Sequence, residues 1–335
     1  MRAVVYSEPG LSSVMRLVDR EVPEPGPGEV RVRLVRAGVN PTDWKFRSGT
    51  MRDHTEVTPG QDGAGDVDAV GPGVEDLAVG DRVWLILAQH ERALGTAAEY
   101  TVQPAERVIA LPQGASYDLG ASLGVPAVTA HRALTSGEGA SRLEPGAMSG
   151  QTVLVAGGAG AVGNAAIQLA RWAGATVVTT VSSDQKAALA KAAGAHHTVD
   201  YRATDAEKEI TALFPDGVDL VVEVAPAQNV DLDLAVLRNR GTLAYYANNG
   251  GDTFNVPIRP SFSKNVRFQG VLLYTLGADL VAAAAADVSA AVAAGALRVG
   301  DDVGVPLHHF ALEDAAAAHD AVENGAIGKV LIDLA

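Results

Sequence analysis

Apolar and polar positions follow two different rhythms along this chain. In the first third, short apolar stretches recur between Gly/Pro turns. Residues 29–39 alternate apolar with charged side chains, the period of a half-buried strand. Residues 3–6, 63–70, 83–87, 99–102 and 108–111 predict further strands. Turns fall at 23–28, 71–73 and 80–82. Short strands with a turn every ten residues or so predict a small barrel.

The rhythm changes after about residue 117. Residues 119–134 have helical spacing interrupted by Gly124 and Pro126, and a Gly/Ser/Glu-rich loop spans 136–150. Strands are then predicted at 152–156, 176–181, 197–200, 218–224 and 241–246, and helices at 162–172, 184–193, 205–214 and 232–237. Continuously apolar strands alternating with helices predict a parallel sheet covered on both faces. The tail predicts a strand at 268–276, a helix at 279–294, a segment at 305–310 leading into a helix at 312–323, and a last strand at 328–334. The expected class is α/β, a doubly wound parallel sheet plus a small β-barrel. One discontinuous domain is expected over 1–120 and 266–335, and the other over 121–265.

Composition adds exclusions. The 335 residues suit two domains and carry a net charge of −14, which disfavours nucleic-acid and anionic-lipid partners. No cysteine is present, which removes disulfides, thiol nucleophiles and Cys-based zinc sites and fits a cytoplasmic protein. No signal-peptide apolar core fits the N-terminus, and the Ala-rich stretch 281–297 contains Asp287 and reads as a soluble helix.

The strongest chemical motif is Gly158-x-Gly160-x-x-Gly163, between a predicted strand and a predicted helix. That context suits a dinucleotide pyrophosphate: glycines let the backbone approach, and the helix start, with Ala161 and Val162, offers amides and positive partial charge. An NAD enzyme usually has Asp or Glu at the next strand tip, whereas this chain has Ser182 and Ser183, with Lys186 one turn on and Tyr201 and Arg202 after the third strand. Serine hydroxyls and a lysine suit a 2′-phosphate, so the expected cofactor is NADPH. Asp184 is discordant, and as a helix cap it would point away. The pairs His196-His197 and His308-His309 sit at adjacent strand positions, which face opposite ways, and predict no metal site.

The segments Gly38-Val39-Asn40-Pro41-Thr42-Asp43, Pro59-Gly60-Gln61-Asp62-Gly63-Ala64-Gly65, Val79-Gly80-Asp81-Arg82-Val83 and Gly328-Lys329-Val330, together with the glycine fingerprint, carry a family likeness. The sequence resembles the zinc-free medium-chain dehydrogenases/reductases of the quinone oxidoreductase (ζ-crystallin-like) group. The resemblance implies a GroES-like barrel domain and a Rossmann domain, an active site in the cleft between them, and a homodimer. It places Asn40 near the nicotinamide and Asp43 at the matching acidic position. It puts Lys45 where many relatives have Tyr, beside the substrate cleft, and Leu272 and Tyr274 along the nicotinamide side. Asn248 and Lys329 complete the expected cofactor set. The zinc-dependent branch has Cys and His-Glu where this chain has Pro41 and Gln61-Asp62, so no metal is expected.

Without a Lewis acid, an already electrophilic acceptor is the easier substrate. The expected function is an NADPH-dependent quinone oxidoreductase. The alternatives are an NADPH-dependent enone or enoyl reductase and, in another class, a non-catalytic NADPH-binding structural or regulatory protein.

Overall fold

The computed structural model describes residues 1–49, 54–140 and 142–334. They form two compact units, Met1–Pro126 with Pro306–Ala335, and Ala127–Val305. The first begins with β1 (Arg2–Val5), β2 (Arg16–Asp19), β3 (Glu29–Val39), α1 (Pro41–Ser48) and β4 (Asp62–Val70). It continues through β5 (Arg82–Leu85), β6 (Tyr100–Pro104), β7 (Val108–Ala110) and α2 (Tyr117–Gly120), and α3 (Gly124–Leu134) follows. The second unit carries β8 (Thr152–Ala156), α4 (Ala161–Trp172), β9 (Thr176–Val181), α5 (Asp184–Ala192), β10 (His197–Asp200) and α6 (Ala206–Leu213). It continues through β11 (Val218–Glu223), α7 (Pro226–Val236), β12 (Leu237–Tyr245), α8 (Ile258–Ser263), β13 (Arg267–Gly270) and α9 (Ala278–Ala293). The chain ends with β14 (Leu307–Ala311), α10 (Ala315–Glu323) and β15 (Lys329–Asp333).

In the first unit, β14-β15-β3-β4-β5-β7 form one sheet, with β6 also pairing β3. All its pairings are antiparallel except β14 with β15. The alternation along β3 explains its burial: Val30, Val32 and Leu34 enter the core. Arg31 and Arg33 face the other way and pair across the strands with Asp68 and Asp66, both at 2.6 Å.

The second unit holds a six-stranded parallel sheet in the order β10-β9-β8-β11-β12-β13. This is the doubly wound dinucleotide-binding order, which reverses direction between β8 and β11. Its central strands β8, β9 and β11 are buried along nearly their whole length, as in a sheet covered by helices on both faces. Among the described residues no helix is long and apolar enough to cross a membrane.

Several expectations shift. The return to the first unit falls at Pro306 and not at 266, because β13 pairs in parallel with β12 and extends the second unit's sheet. The strand expected over 268–276 stops at Gly270 and gives way to a 3-10 turn, Leu273–Thr275. The helix expected over 232–237 is α7, which starts six residues earlier on Pro226 at its first turn. The spacing over 119–134 resolves into two helices, α2 and α3. β2 was not anticipated.

One carboxylate fastens Arg142 and Leu143 in the loop after α3. Asp287 of α9 contacts buried His131 Nε2 at 2.8 Å and accepts from Leu143 N at 2.8 Å and Arg142 Nε at 2.9 Å. Burial lowers the His131 pKa, so the neutral ring donates to Asp287. Burial opposes ionisation of Asp287, but Arg142, Leu143 and His131 outweigh it and hold its pKa below the usual value.

Candidate active site

The glycine turn joins β8 to α4. A Cβ on Gly158 would lie 2.3 Å from Thr179 Oγ1, and one on Gly163 would lie 2.4 Å from the Gly157 carbonyl oxygen. Packing therefore demands glycine at both positions. Gly160 differs, because a Cβ there would meet only the Gly157 carbonyl oxygen, at an ordinary 3.5 Å. What glycine supplies at 160 is a bare, exposed backbone. Gly158 N–H is taken by Thr179 Oγ1 at 3.1 Å and Gly160 N–H by Gly157 O at 3.0 Å. The amides of Ala161, Val162 and Gly163 open α4, where no carbonyl of their own helix reaches them. They are the donors suited to an anion, with the helix dipole behind them.

At the next strand tip, Ser183 caps α5 by accepting from Lys186 N at 3.3 Å, and Lys186 Nζ donates to Ser182 Oγ at 3.0 Å. Ser182, Ser183 and Lys186 thus form one polar cluster with a single positive charge. Asp184 is exposed in the first turn of α5. Tyr201 N bonds Val181 O at 3.1 Å, which sets the residue, half exposed, beside the end of β9. Arg202 is exposed, its backbone N–H held by Asp200. Asn248 lies beyond β12 and donates to Asp252 at 2.6 Å. Leu272, 55% exposed, and half-buried Tyr274 follow β13. Each of these residues comes just past the carboxyl end of a strand of the same parallel sheet, so topology ranges them along one edge.

The remaining expected residues belong to the first unit. Asn40 caps α1, and its backbone N–H donates to Asp43 Oδ2 at 2.7 Å in a capping box. Asn40 Nδ2 donates to Asp62 Oδ2 at 2.8 Å, and Lys329 Nζ donates to Asn40 Oδ1 at 2.7 Å and lies 3.4 Å from Asp62 Oδ2. The second Asp62 oxygen accepts from Val125 N at 2.8 Å, at the start of α3. All four side chains are buried, Lys329 to 2% exposure. Lys329, expected among the cofactor contacts, is a buried cation whose ammonium reaches Asn40 and Asp62. A short apolar strand after Gly328 could not reveal this, because its partners lie 267 and 289 residues away.

Burial pushes the Asp43 carboxyl up to about 7, with the Asp62 charge adding to the effect. Burial also raises Asp62 and lowers Lys329, each opposed by the charge of the other. Lys45 lies on the exposed side of α1 with its ammonium 5.8 Å from the Trp44 ring centroid.

The histidine pairs have separate local partners: His196 with Arg171 and Val177 N, His308 with Ile327 O, and His309 with Asp333. Among the described residues no group of three or more His, Asp or Glu is placed to hold a metal ion.

Sequence reading missed one further pair, Glu223 and Asp233, two buried carboxyls in the second unit. The available signals were a Glu closing the apolar run of β11 and an Asp next to Leu234 on a largely apolar helix.

Residues 26–113 match the family model described as alcohol dehydrogenase GroES-like domain, and residues 161–298 the one described as zinc-binding dehydrogenase. A quinone oxidoreductase of Lama guanicoe is 31% identical over 340 residues, covering 99% of this chain and 97% of that protein. A 2-haloacrylate reductase of Burkholderia sp is 34% identical over 260 residues, covering 75% of this chain and 74% of that one. A mycobacterial protein solved in complex with NADPH superposes with a TM-score of 0.83 at 32% identity, covering 99% of this chain and 100% of that chain. With its GroES-like sheet and its Rossmann sheet, the chain is an oxidoreductase that belongs to the quinone oxidoreductase group of the medium-chain dehydrogenases/reductases.

Proposed function

We propose that this protein transfers hydride from NADPH to a quinone, without a metal, giving the hydroquinone and NADP⁺ with a proton drawn from solvent or a weak acid. The observation that carries the cofactor choice is the β9 tip. Lys186 and two serines form a cationic hydroxyl cluster there, with Asp184 exposed in the following helix turn. A 2′-phosphate gains charge-assisted hydrogen bonds in such a place. In this reading the amides of residues 161–163 bind the pyrophosphate beside Gly158, Gly160 and Gly163. Ser182, Ser183, Lys186 and Tyr201 bind the 2′-phosphate, and Asn248, Leu272 and Tyr274 line the nicotinamide side. The reduced nicotinamide supplies the hydride, and the chain supplies orientation and an apolar setting.

Asn40, Asp43 and Lys45 are the residues assigned to the acceptor side, and Lys329, which donates to Asn40, is kept on the cofactor side. The quinone preference is supported by relatives of that name that align over nearly the whole chain. The second reading, reduction of an activated alkene, is favoured by the 2-haloacrylate reductase. The family resemblance supports a homodimer, which sedimentation would test.

The experiment is a titration of NADPH and NADH followed by a panel of quinones, 2-haloacrylates and enones, with and without a chelator. NADPH should bind at least tenfold more tightly, quinones should turn over fastest, and chelation should change nothing. Equal affinity for both cofactors, or faster alkene reduction, would overturn the corresponding part.

A further inference from the structure

β8 and β11 are neighbours although two other strands lie between them in sequence, and strand order reverses at this point. In open α/β sheets, ligands bind in the crevice outside that reversal. Val222 pairs with Val155, so Glu223 stands level with Ala156, the last residue before the glycine turn. Glu223 Oε1 accepts from Ala225 N and, at 3.1 Å, from Asn229 Nδ2.

The Glu223 carboxyl also hydrogen-bonds Asp233 on α7. Two ionised carboxylates only accept, so one proton lies between them. Glu223 Oε2 and Asp233 Oδ2 are the oxygens that no donor of another residue reaches. Burial, and then the Glu223 charge, lift Asp233 well above the carboxylate range. Burial raises Glu223 too, but there the Ala225 amide and Asn229 oppose it, so Asp233 is the carboxyl lifted further.

The pair braces one turn. Tyr246 N bonds Glu223 O at 3.1 Å and Asn249 N bonds Val224 O at 3.3 Å, tying the β11–α7 turn to the loop after β12. On its other side, a methyl group placed on Gly157 would lie 3.5 Å from Val224 Cγ1, so the turn backs the glycine turn.

We propose that Glu223 and Asp233 are positioning residues for the dinucleotide, holding the β11–α7 turn as the wall of the crevice that faces the glycine turn. This rests on the cofactor reading above. Amide hydrogen exchange on the free protein tests the bracing, and NADPH titration by fluorescence tests its consequence.

Asp233→Leu should speed exchange at Ala225, Tyr246 and Asn249 while β8 stays protected, and should weaken NADPH binding about fivefold to twentyfold. Asp233→Asn restores a donor to Glu223 and should stay within about twofold of wild type in both measurements. Should Asp233→Leu not fold, Asn229→Ala removes a single donor from the same carboxylate. It should speed exchange at Ala225 and weaken NADPH about twofold to fivefold. Unchanged exchange, or wild-type affinity despite faster exchange, overturns the proposal. Wild-type protein that bound no NADPH would defeat the cofactor reading instead, and the exchange arm would still decide whether the pair braces the turn.

Discussion

Replacing Lys329 by Met removes the one cation from a buried cluster of Asn40, Asp43 and Asp62. Asp62 would then face Asn40 Nδ2 and Val125 N alone, and Asn40 Oδ1 would lose its 2.7 Å donor. Breaking a buried ion pair from one side costs about 3–5 kcal/mol, because the remaining charge stays desolvated. For a unit of this size each kcal/mol moves the midpoint by about 2–4 °C, so Lys329→Met should melt roughly 6–20 °C below wild type. Differential scanning calorimetry reads this directly. Lys329→Met combined with Asp62→Asn should recover a substantial part of the loss, since no unpaired charge then remains. A Lys329→Met protein melting within 2 °C of wild type, or a double variant no better than the single, would refute the electrostatic account.

Three further outcomes follow from the same geometry. Asp43 keeps its proton up to about pH 7 in the folded state, against an ordinary value of 3.8. Its contribution is therefore full below pH 4 and lost as pH rises through about 7, a fall of about 2–3 kcal/mol between pH 5 and 8. Urea unfolding of Asp43→Asn should lack this fall, and a pH-independent difference from wild type would contradict the assignment. Gly160→Ala should melt like wild type yet bind NADPH about tenfold more weakly. Gly163→Ala, whose Cβ meets a carbonyl oxygen at 2.4 Å, should lose thermal stability as well. Lys186→Ala should cost NADPH about 1.5–3 kcal/mol and leave NADH nearly unchanged in parallel titrations. Equal losses for both cofactors would mean that Lys186 does not meet the 2′-phosphate.

The alternation of β3 and the valine-rich strands β8, β9 and β11 made both sheets readable from sequence, because burial on one face or two leaves a direct compositional trace. Gly158 and Gly163 were readable for a related reason, since their places are crowded by neighbours only a few elements away. The return of the chain at Pro306 was not readable: β13 is four residues long and joins the Rossmann sheet by backbone pairing, which leaves no side-chain period. Lys329 and the Glu223–Asp233 pair escaped for a different cause. Burying a charge or a shared proton depends on partners brought together by the tertiary fold, and residue type alone pointed toward the surface.

Asp287 holds the later part of the segment that follows α3. Past the point where Arg142 and Leu143 engage it, the path is dictated by α9. Gly139 and Ala140 are exposed, and the nearest latch is the rim ion pair of Glu138 with Arg240. Lengthening a closed excursion raises its entropic penalty only logarithmically, about 0.6 kcal/mol per doubling. A reporter peptide grafted between Gly139 and Ala140 should therefore ride on the enzyme at little thermodynamic cost, whereas the same insertion three residues later would detach the clasp.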